Sequence, residues 1–206
     1  LNYNEPVKLQ VTSEDGHRVW EYTVVVTTDN QFSDVNTDDW FYKEVMQAAN
    51  NGWVNGQGDG IFNPNGDMKR GDFALIVARI MGYNENEFAE TVFPDVANDD
   101  YYCAAIAFCK QKGLIDGDDK SYFNPEDSIT REQMAKIICN ARGLTQVSDP
   151  VKVYSDDAKI ANWAKGYVYA CQAEGIMAGE EAVNMFYPKD NASRAEAAAV
   201  LVRAFA

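Results

Sequence analysis

Phe32-Ser-Asp-Val35 recurs further along the chain as Phe93-Pro-Asp-Val96. At the same offset Phe62-Asn-Pro64 recurs as Phe123-Asn-Pro125, and a third copy of the pattern begins at Tyr154-Ser-Asp156. Repetition of a segment of about 60 residues is typical of proteins that stack copies of one supersecondary unit. The sequence therefore predicts three copies, over residues 31–83, 92–144 and 153–206.

Each copy has the pattern of two helices joined by a turn-rich loop. The second helix carries apolar residues at positions i, i+3, i+4 and i+7, which lie on one helical face. A glycine marks the end of the first helix. The first helices are predicted near residues 40–51, 101–112 and 163–174, with stops at Gly52, Gly113 and Gly175. Because one helix pair cannot bury its apolar face alone, we expect the copies to pack around a pseudo-threefold axis.

Residues 1–30 have a different pattern. Val7-Lys-Leu-Gln-Val11 alternates in polarity, Glu14-Asp-Gly16 favours a turn, and the stretch from Val19 to Thr27 is β-branched and aromatic. This predicts a β-hairpin, which is marginal alone in water and which we interpret as the end of a preceding β-sandwich module. The first residues lack the basic and apolar segments of a signal peptide. We expect the chain to be part of a longer mature protein.

The net charge of the chain, −14, argues against two classes of partner. Nucleic acids and anionic membrane surfaces both require a basic face. Membrane insertion is not expected either, because no apolar run approaches the roughly 18 residues of a spanning helix. An anionic ligand held by a few arginines stays compatible with this charge, since screening in ordinary salt acts over about 10 Å.

No cofactor, metal or catalytic site is predicted. The four cysteines form no C-x-x-C pair, and the single histidine lies in the hairpin. We interpret the cysteines as buried free thiols, with disulfides or metal binding as the alternative: Cys103, Cys109, Cys139 and Cys171. The loops at 55–60 and 116–120 lack the ligand spacing of a calcium loop, so we interpret them as glycine-rich turns.

The start of each second helix is the strongest candidate for chemistry. Thr130-Arg-Glu-Gln133 and Ser193-Arg-Ala-Glu196 fit a capping box, with an arginine at the first helical position. An arginine beside free backbone N–H groups suits a carboxylate or a phosphate, and the alternative is a solvated or salt-bridged surface arginine. Copy one departs from the motif, because Lys69 cannot cap, although Asp67 could do so instead.

Aromatic residues open the three first helices: Trp40, Tyr101 and Trp163. An exposed aromatic ring is a platform on which the C–H groups of a sugar can pack. The alternative is burial in the core, where most tryptophans lie. The sequence leaves both interpretations open.

Together these motifs resemble those of S-layer homology domains, over about residues 31–206. The aromatic-x-Asp pairs, the helix-opening aromatics, the Gly-x-x-x-Gly pattern at 52–56, 113–117 and 175–179, and the Thr/Ser-Arg-x-Glu-like motif carry the resemblance. It implies a mainly α fold, in which three prongs form a spindle around a central helical bundle. It also implies an extracellular module at the bacterial cell wall or S-layer.

The resemblance further implies a non-catalytic function. Such domains bind secondary cell-wall polysaccharide, often through pyruvylated N-acetylmannosamine, in grooves between neighbouring prongs. The residues implied for carboxylate, sugar and backbone contact are Arg70, Arg131 and Arg194, then Trp40, Tyr101 and Trp163, then Gly56, Gly117 and Gly179. The alternative function is protein interaction or lattice assembly, and upstream domains would make any lattice or cargo contacts.

Overall fold

The computed structural model describes residues 7–13, 19–24, 31–88 and 90–206. The chain divides into two compact units, Leu1–Gln31 and Phe32–Ala206. In the first unit, strand β1 (Val7–Thr12) pairs antiparallel with strand β2 (Val19–Val24), and Val7 lies opposite Val24. The turn predicted at 14–16 lies outside the described residues. The preceding β-sandwich module remains a prediction.

The described residues of the second unit contain six α-helices, two from each copy. The first helices are α1 (Tyr42–Asn50), α3 (Cys103–Gln111) and α5 (Lys165–Ala173). The second helices are α2 (Arg70–Ile80), α4 (Arg131–Arg142) and α6 (Arg194–Phe205). Short 3₁₀ turns lie at Glu85–Glu87 and Asp157–Lys159. The predicted helical repeats are therefore confirmed.

Each first helix ends at a glycine in the left-handed region. The φ angles of Gly52, Gly113 and Gly175 are 70°, 70° and 67°. The N–H of each glycine donates to the carbonyl group three residues earlier, which satisfies one of the last acceptors of the helix. Because an L side chain is strained at this φ, glycine is what allows the chain to turn here.

Each prong joins helices from two different copies. Helix α2 packs on α3, α4 on α5, and α6 on α1, so the last prong closes the two ends of the unit. Helix α6 also contacts α2 and α4, which places the second helices in a central bundle. Their predicted apolar faces are buried there, including Phe73, Met134 and Leu201. The three-prong spindle is confirmed.

Backbone hydrogen bonds link the three copies at the axis. The segment before each second helix contributes one buried residue: Met68, Ile129 and Ala192. Met68 N–H donates to Ala192 O at 2.9 Å, Ala192 N–H to Ile129 O at 2.8 Å, and Ile129 N–H to Met68 O at 2.8 Å. Each copy therefore donates once and accepts once. This closed ring forms only when all three copies are present.

The predicted capping boxes are present at α4 and α6. The side chain of Thr130 accepts from Gln133 N–H, and the side chain of Gln133 accepts from Thr130 N–H. At α2 the cap residue is Lys69, which makes no side-chain cap. Asp67 does not replace it, because its carboxylate accepts from the Ser128 hydroxyl and the Asn191 amide. The expectation that Asp67 caps α2 is wrong.

All four cysteines are buried free thiols, as the first interpretation predicted. Cys109 Sγ donates to Ala74 O and Cys171 Sγ donates to Ala135 O, both at 3.5 Å, across the α2–α3 and α4–α5 contacts. Burial raises the pKa of both thiols to about 12. They act as small apolar groups within the prongs.

Candidate functional site

The motif arginine of each copy lies on a phenylalanine of the next copy. Arg70 Nε donates to Phe123 O at 2.9 Å, and its guanidinium carbon lies 4.7 Å from the centroid of the Phe123 ring. The equivalent pairs are Arg131 with Phe186 and Arg194 with Phe62. The third arginine reaches back to the first copy. All three guanidinium groups therefore share one hydrogen bond to a carbonyl and one cation–π contact.

The aspartate of each aromatic-x-Asp pair holds the loop that carries this phenylalanine. Both carboxylate oxygens of Asp156 accept backbone N–H groups, from Phe186 and Tyr187, each at 2.8 Å. Asp34 and Asp95 hold the loops of their own copies in the same way. The motif therefore positions the surface on which the arginine of the preceding copy lies.

The three predicted glycines pack tightly in the same loops. A Cβ on Gly179 would lie 2.4 Å from Met185 O and 2.7 Å from the Tyr154 ring. The nearest atoms to a Cβ on Gly56 and Gly117 would lie at 2.7 and 3.0 Å. Close packing thus explains glycine at these positions without a ligand. Contact between their backbone and a sugar remains a prediction.

The backbone N–H groups at the starts of the second helices are already occupied. Arg131 N–H donates to Asp190 O at 3.0 Å, and Glu132 N–H donates to Pro188 O at 3.1 Å. The starts of α2 and α6 donate to loop carbonyls of the following copy in the same way. The expectation of free N–H groups for an anion is therefore wrong at the first two positions of each second helix. The guanidinium groups are the side-chain donors that an anion can reach at these helix starts.

The three helix-opening aromatic residues are exposed. The exposed fractions are 60% for Trp40, 64% for Tyr101 and 48% for Trp163. The alternative of core packing is wrong for all three. Their role as platforms for a sugar remains a prediction.

The site around Arg70, here called the Arg70 groove, combines residues from all three copies. It is a cleft of about 650 Å³ lined by Arg70 of copy one, Gly117 of copy two and Trp163 of copy three. Gln133 and Lys136 of α4 line it as well. Within the described ranges, the terminal nitrogens Nη1 and Nη2 of Arg70 have no hydrogen-bonding or ion-pair partner. The glycine and the aromatic thus come from two different copies.

The Arg131 groove has the same arrangement but is smaller and internally paired. It is a cleft of about 220 Å³ lined by Arg131, Gly179 and Trp40. Arg131 Nη1 forms an ion pair with Glu196 Oε1, and Nη2 donates to Ala178 O at 2.9 Å. Every nitrogen of this guanidinium therefore has a partner in the protein.

The Arg194 groove brings together the last set of predicted residues. Arg194 Nη2 donates at 2.7 Å to Asn55 O, next to Gly56. Tyr101 stands at the aromatic position, and its hydroxyl donates to Asp72 Oδ1 at 2.5 Å. Burial and this hydrogen bond raise the pKa of Tyr101, so the hydroxyl stays a donor.

Partial burial changes the electrostatics of the arginines. Desolvation lowers the pKa of the Arg70 guanidinium, and nearby carboxylates, first that of Asp127, act in the opposite direction. Desolvation also lowers the pKa of Arg194, against which Asp72 acts. Arginine titrates so far above neutral pH that both groups remain cations. Partial loss of water strengthens their attraction to an anion.

Three groove residues are not found by the sequence patterns as parts of a site. They occupy the third position of the second helices, where the sequence suggests only a helix cap: Asp72, Gln133 and Glu196. The sequence signal that could have found them is a difference in charge: this position is acidic in copies one and three and neutral in copy two, although all three copies keep the arginine. The sequence patterns also miss Lys136, because it lies in the middle of α4 and belongs to no motif that recurs in the other copies.

A family model for the S-layer homology domain matches residues 31–74, 92–135 and 153–198. These segments span all three copies and include all three arginines. The chain belongs to the S-layer homology family. The resemblance predicted from the sequence is confirmed, and the three copies form an S-layer homology module.

Several curated proteins are similar to the module. The amylopullulanase of Thermoanaerobacterium thermosulfurigenes is 35% identical over 84% of this chain and 9% of that protein. An S-layer protein of Bacillus thuringiensis subsp. finitimus is 27% identical, over 87% of the chain and 22% of that protein. The cellulosome-anchoring protein of Acetivibrio thermocellus is 25% identical, over 79% and 38%. The chain thus spans well under half the length of each relative.

These findings establish the general role of the module. S-layer homology domains are non-catalytic and anchor proteins at the cell wall, and the S-layer relatives indicate an extracellular location at the cell surface. The helices in the described part of the chain are too short or too polar to cross a membrane.

Proposed function

We propose that the module anchors its parent protein by binding the pyruvyl carboxylate of N-acetylmannosamine units in secondary cell-wall polysaccharide. The proposal concerns the ligand and the residues from which its sites are built: the three arginines, the three helix-opening aromatics and the loop glycines. The activity of the parent protein would lie in domains outside this chain, as the enzyme names of some relatives suggest.

The observation that carries the proposal is the convergence in the Arg70 groove. A partly buried cation with open donors, Arg70, lines the same cleft as the exposed ring of Trp163. A guanidinium binds a carboxylate through directed, charge-assisted hydrogen bonds. An aromatic ring packs against the apolar face of a sugar. A sugar that carries one carboxylate matches both features.

The charge of the module supports the same class of ligand. The chain carries 32 acidic and 18 basic residues, so most of its surface repels polyanions. One fixed negative charge on an otherwise neutral polysaccharide avoids that repulsion. It still gains the local attraction of an arginine, because screening confines both effects to about 10 Å.

The test compares one polysaccharide in two chemical forms. Purified wall polysaccharide would be titrated into the 206-residue chain before and after mild acid hydrolysis of the pyruvyl groups. We expect the affinity to fall at least about tenfold when the carboxylate is removed. Equal binding of both forms would contradict the proposal. Self-assembly in light scattering, without binding to walls, would favour the lattice function instead.

A further inference from the structure

We infer that the three grooves are not equivalent: the Arg70 groove binds the sugar carboxylate, with Gln133 and Lys136 as additional donors, while Glu196 pairs with Arg131 and Asp72 occupies the equivalent helix position near Arg194. This inference rests on the proposed function, because it concerns the same ligand. It assigns the main binding role to copy one, whose helix start departs most from the motif.

In the Arg131 groove a protein carboxylate takes the place of the ligand. Glu196 Oε2 accepts from Ser193 N–H at 2.8 Å as part of the capping box, and Oε1 pairs with Arg131 Nη1. The side chains of Arg131 and Glu196 are only 13% and 28% exposed. A sugar carboxylate would have to displace Glu196, which would break a partly buried ion pair and disturb the cap.

In the Arg194 groove the same helix position again carries an acid. The charge of Asp72 favours the cationic form of Arg194, and its carboxylate also accepts a hydrogen bond from the Tyr101 hydroxyl. Tyr101, the ring that would support a sugar, is therefore hydrogen-bonded to Asp72, which would repel the carboxylate of that sugar. This groove differs from the Arg70 groove in carrying a carboxylate at the helix position where the Arg70 groove carries an amide.

In the Arg70 groove the same position carries a neutral amide. Gln133 Oε1 accepts from Thr130 N–H at 3.0 Å, so the capping box uses the oxygen of the amide. In the equivalent box of α6, Glu196 Oε2 accepts the N–H of the cap residue, and the other oxygen, Oε1, pairs with Arg131. By this equivalence the Nε2 group of Gln133 is directed toward Arg70. The Gln133 amide therefore supplies a donor where Glu196 supplies an acceptor, and an anion can accept hydrogen bonds from both Gln133 and Arg70.

Lys136 adds a second cation to this groove. Its Nζ lies 2.7 Å from Asp116 Oδ2 and 5.6 Å from the centroid of the Trp163 ring. The Asp116 side chain is 57% exposed and also pairs with Lys110. The Lys136 side chain is 23% exposed, so water still reaches this pair, and a ligand carboxylate can compete with Asp116 for Lys136. The position equivalent to Lys136 is Leu75 in copy one and Ala199 in copy three.

No acid near Arg70 takes the place that Glu196 takes at Arg131. Asp127, the carboxylate that most favours the cationic form of Arg70, lines the same cleft and is exposed. Asp95 accepts two backbone N–H groups of the loop it holds. Asp118 accepts the N–H groups of Lys120 and Tyr122. Their oxygens are therefore directed toward backbone amides. No carboxylate of the described residues forms an ion pair with Arg70.

The experiment exchanges the residue that distinguishes two grooves. Gln133→Glu gives the Arg70 groove the acid of the Arg131 groove, and Glu196→Gln does the reverse. Both residues cap a helix in this chain, so neither change removes a capping box. Calorimetric titration with a synthetic glycoside of pyruvylated N-acetylmannosamine would measure affinity and stoichiometry. Thermal unfolding would confirm that both variants fold.

We expect Gln133→Glu to lower the affinity at least about tenfold. Glu196→Gln should raise the stoichiometry from about one toward about two sugars per chain. Lys43→Gln is the matched control, since it changes net charge by the same amount as Gln133→Glu at an exposed position outside the grooves. Its affinity should stay within about twofold of the wild type.

The outcomes separate this inference from the proposed function. If the wild type fails to bind the glycoside, the proposed ligand is wrong and the inference fails with it. If the wild type binds and Gln133→Glu binds equally well, the ligand stands but the choice of groove is wrong. The choice of groove is also wrong if Arg131→Ala or Arg194→Ala abolishes binding while Arg70→Ala retains it.

Discussion

The starts of α2 and α4 hold Arg70 and Arg131 by the same contact, although only α4 has a side-chain cap. Each arginine donates from Nε to the carbonyl of a phenylalanine in the following copy. Thr130 caps α4, whereas Lys69 at the start of α2 instead forms an exposed ion pair with Glu126. The neighbouring loop, not the cap, therefore sets the position of the arginine. The loop and the cap can be broken separately.

Breaking the loop should have the largest effect. Asp156 is 4% exposed and accepts the N–H groups of Phe186 and Tyr187. In Asp156→Ala these two donors lose their partner, and an unsatisfied buried donor costs about 1–3 kcal/mol. We expect Asp156→Ala to lower the free energy of unfolding by about 3 kcal/mol in urea denaturation.

Asp95→Ala is the matched change beneath Arg70. Asp95 is only partly buried, so water can replace some of the lost hydrogen bonding, and the loss should be smaller than for Asp156→Ala. A larger loss for Asp95→Ala would show that the two loops are not held in the same way.

Breaking the cap should have a smaller effect. Thr130→Ala removes the acceptor for Gln133 N–H at the start of α4. Such a cap contributes about 1 kcal/mol, so we expect a loss of that size in urea denaturation. Lys69→Ala at the start of α2 removes no cap and should cost clearly less. Equal losses in the two variants would mean that the capping box contributes nothing beyond its surroundings.

The local chemistry of the helix starts explains why much of the fold could be predicted. Thr130 and Gln133 lie three residues apart, so the capping box and the start of α4 are visible in the sequence. The helix stop at Gly113 depends on its own φ angle and is equally local. The periodic apolar face then indicates which side of α4 is buried.

The composition of the grooves could not be predicted in this way. Arg70, Gly117 and Trp163 meet because three prongs pack around an axis, and no local pattern reports that geometry. The backbone N–H groups at the helix starts looked free because their acceptors come from another copy. The neutral amide at position 133 has meaning for a ligand only once Arg70 is known to lie in the same cleft.

The smallest expected effect concerns Asp116, a charge of the Arg70 groove that has no counterpart in the Arg131 groove, where Ala178 stands at the same position. Hydrogen bonds from Lys136 and then Lys110 hold the pKa of Asp116 below its ordinary value.

A carboxyl group whose pKa is lower in the folded state stabilises the fold above its unfolded pKa of about 4, and this stabilisation is lost as the pH falls through the folded value. Because the Asp116 side chain is exposed in both ion pairs, Asp116→Asn should cost only about 0.5 kcal/mol at neutral pH. The difference from the wild type should shrink as the pH falls below about 4, when urea denaturation is repeated across that range. A difference that stays constant down to acidic pH would mean that Asp116 stabilises the groove by something other than its charge.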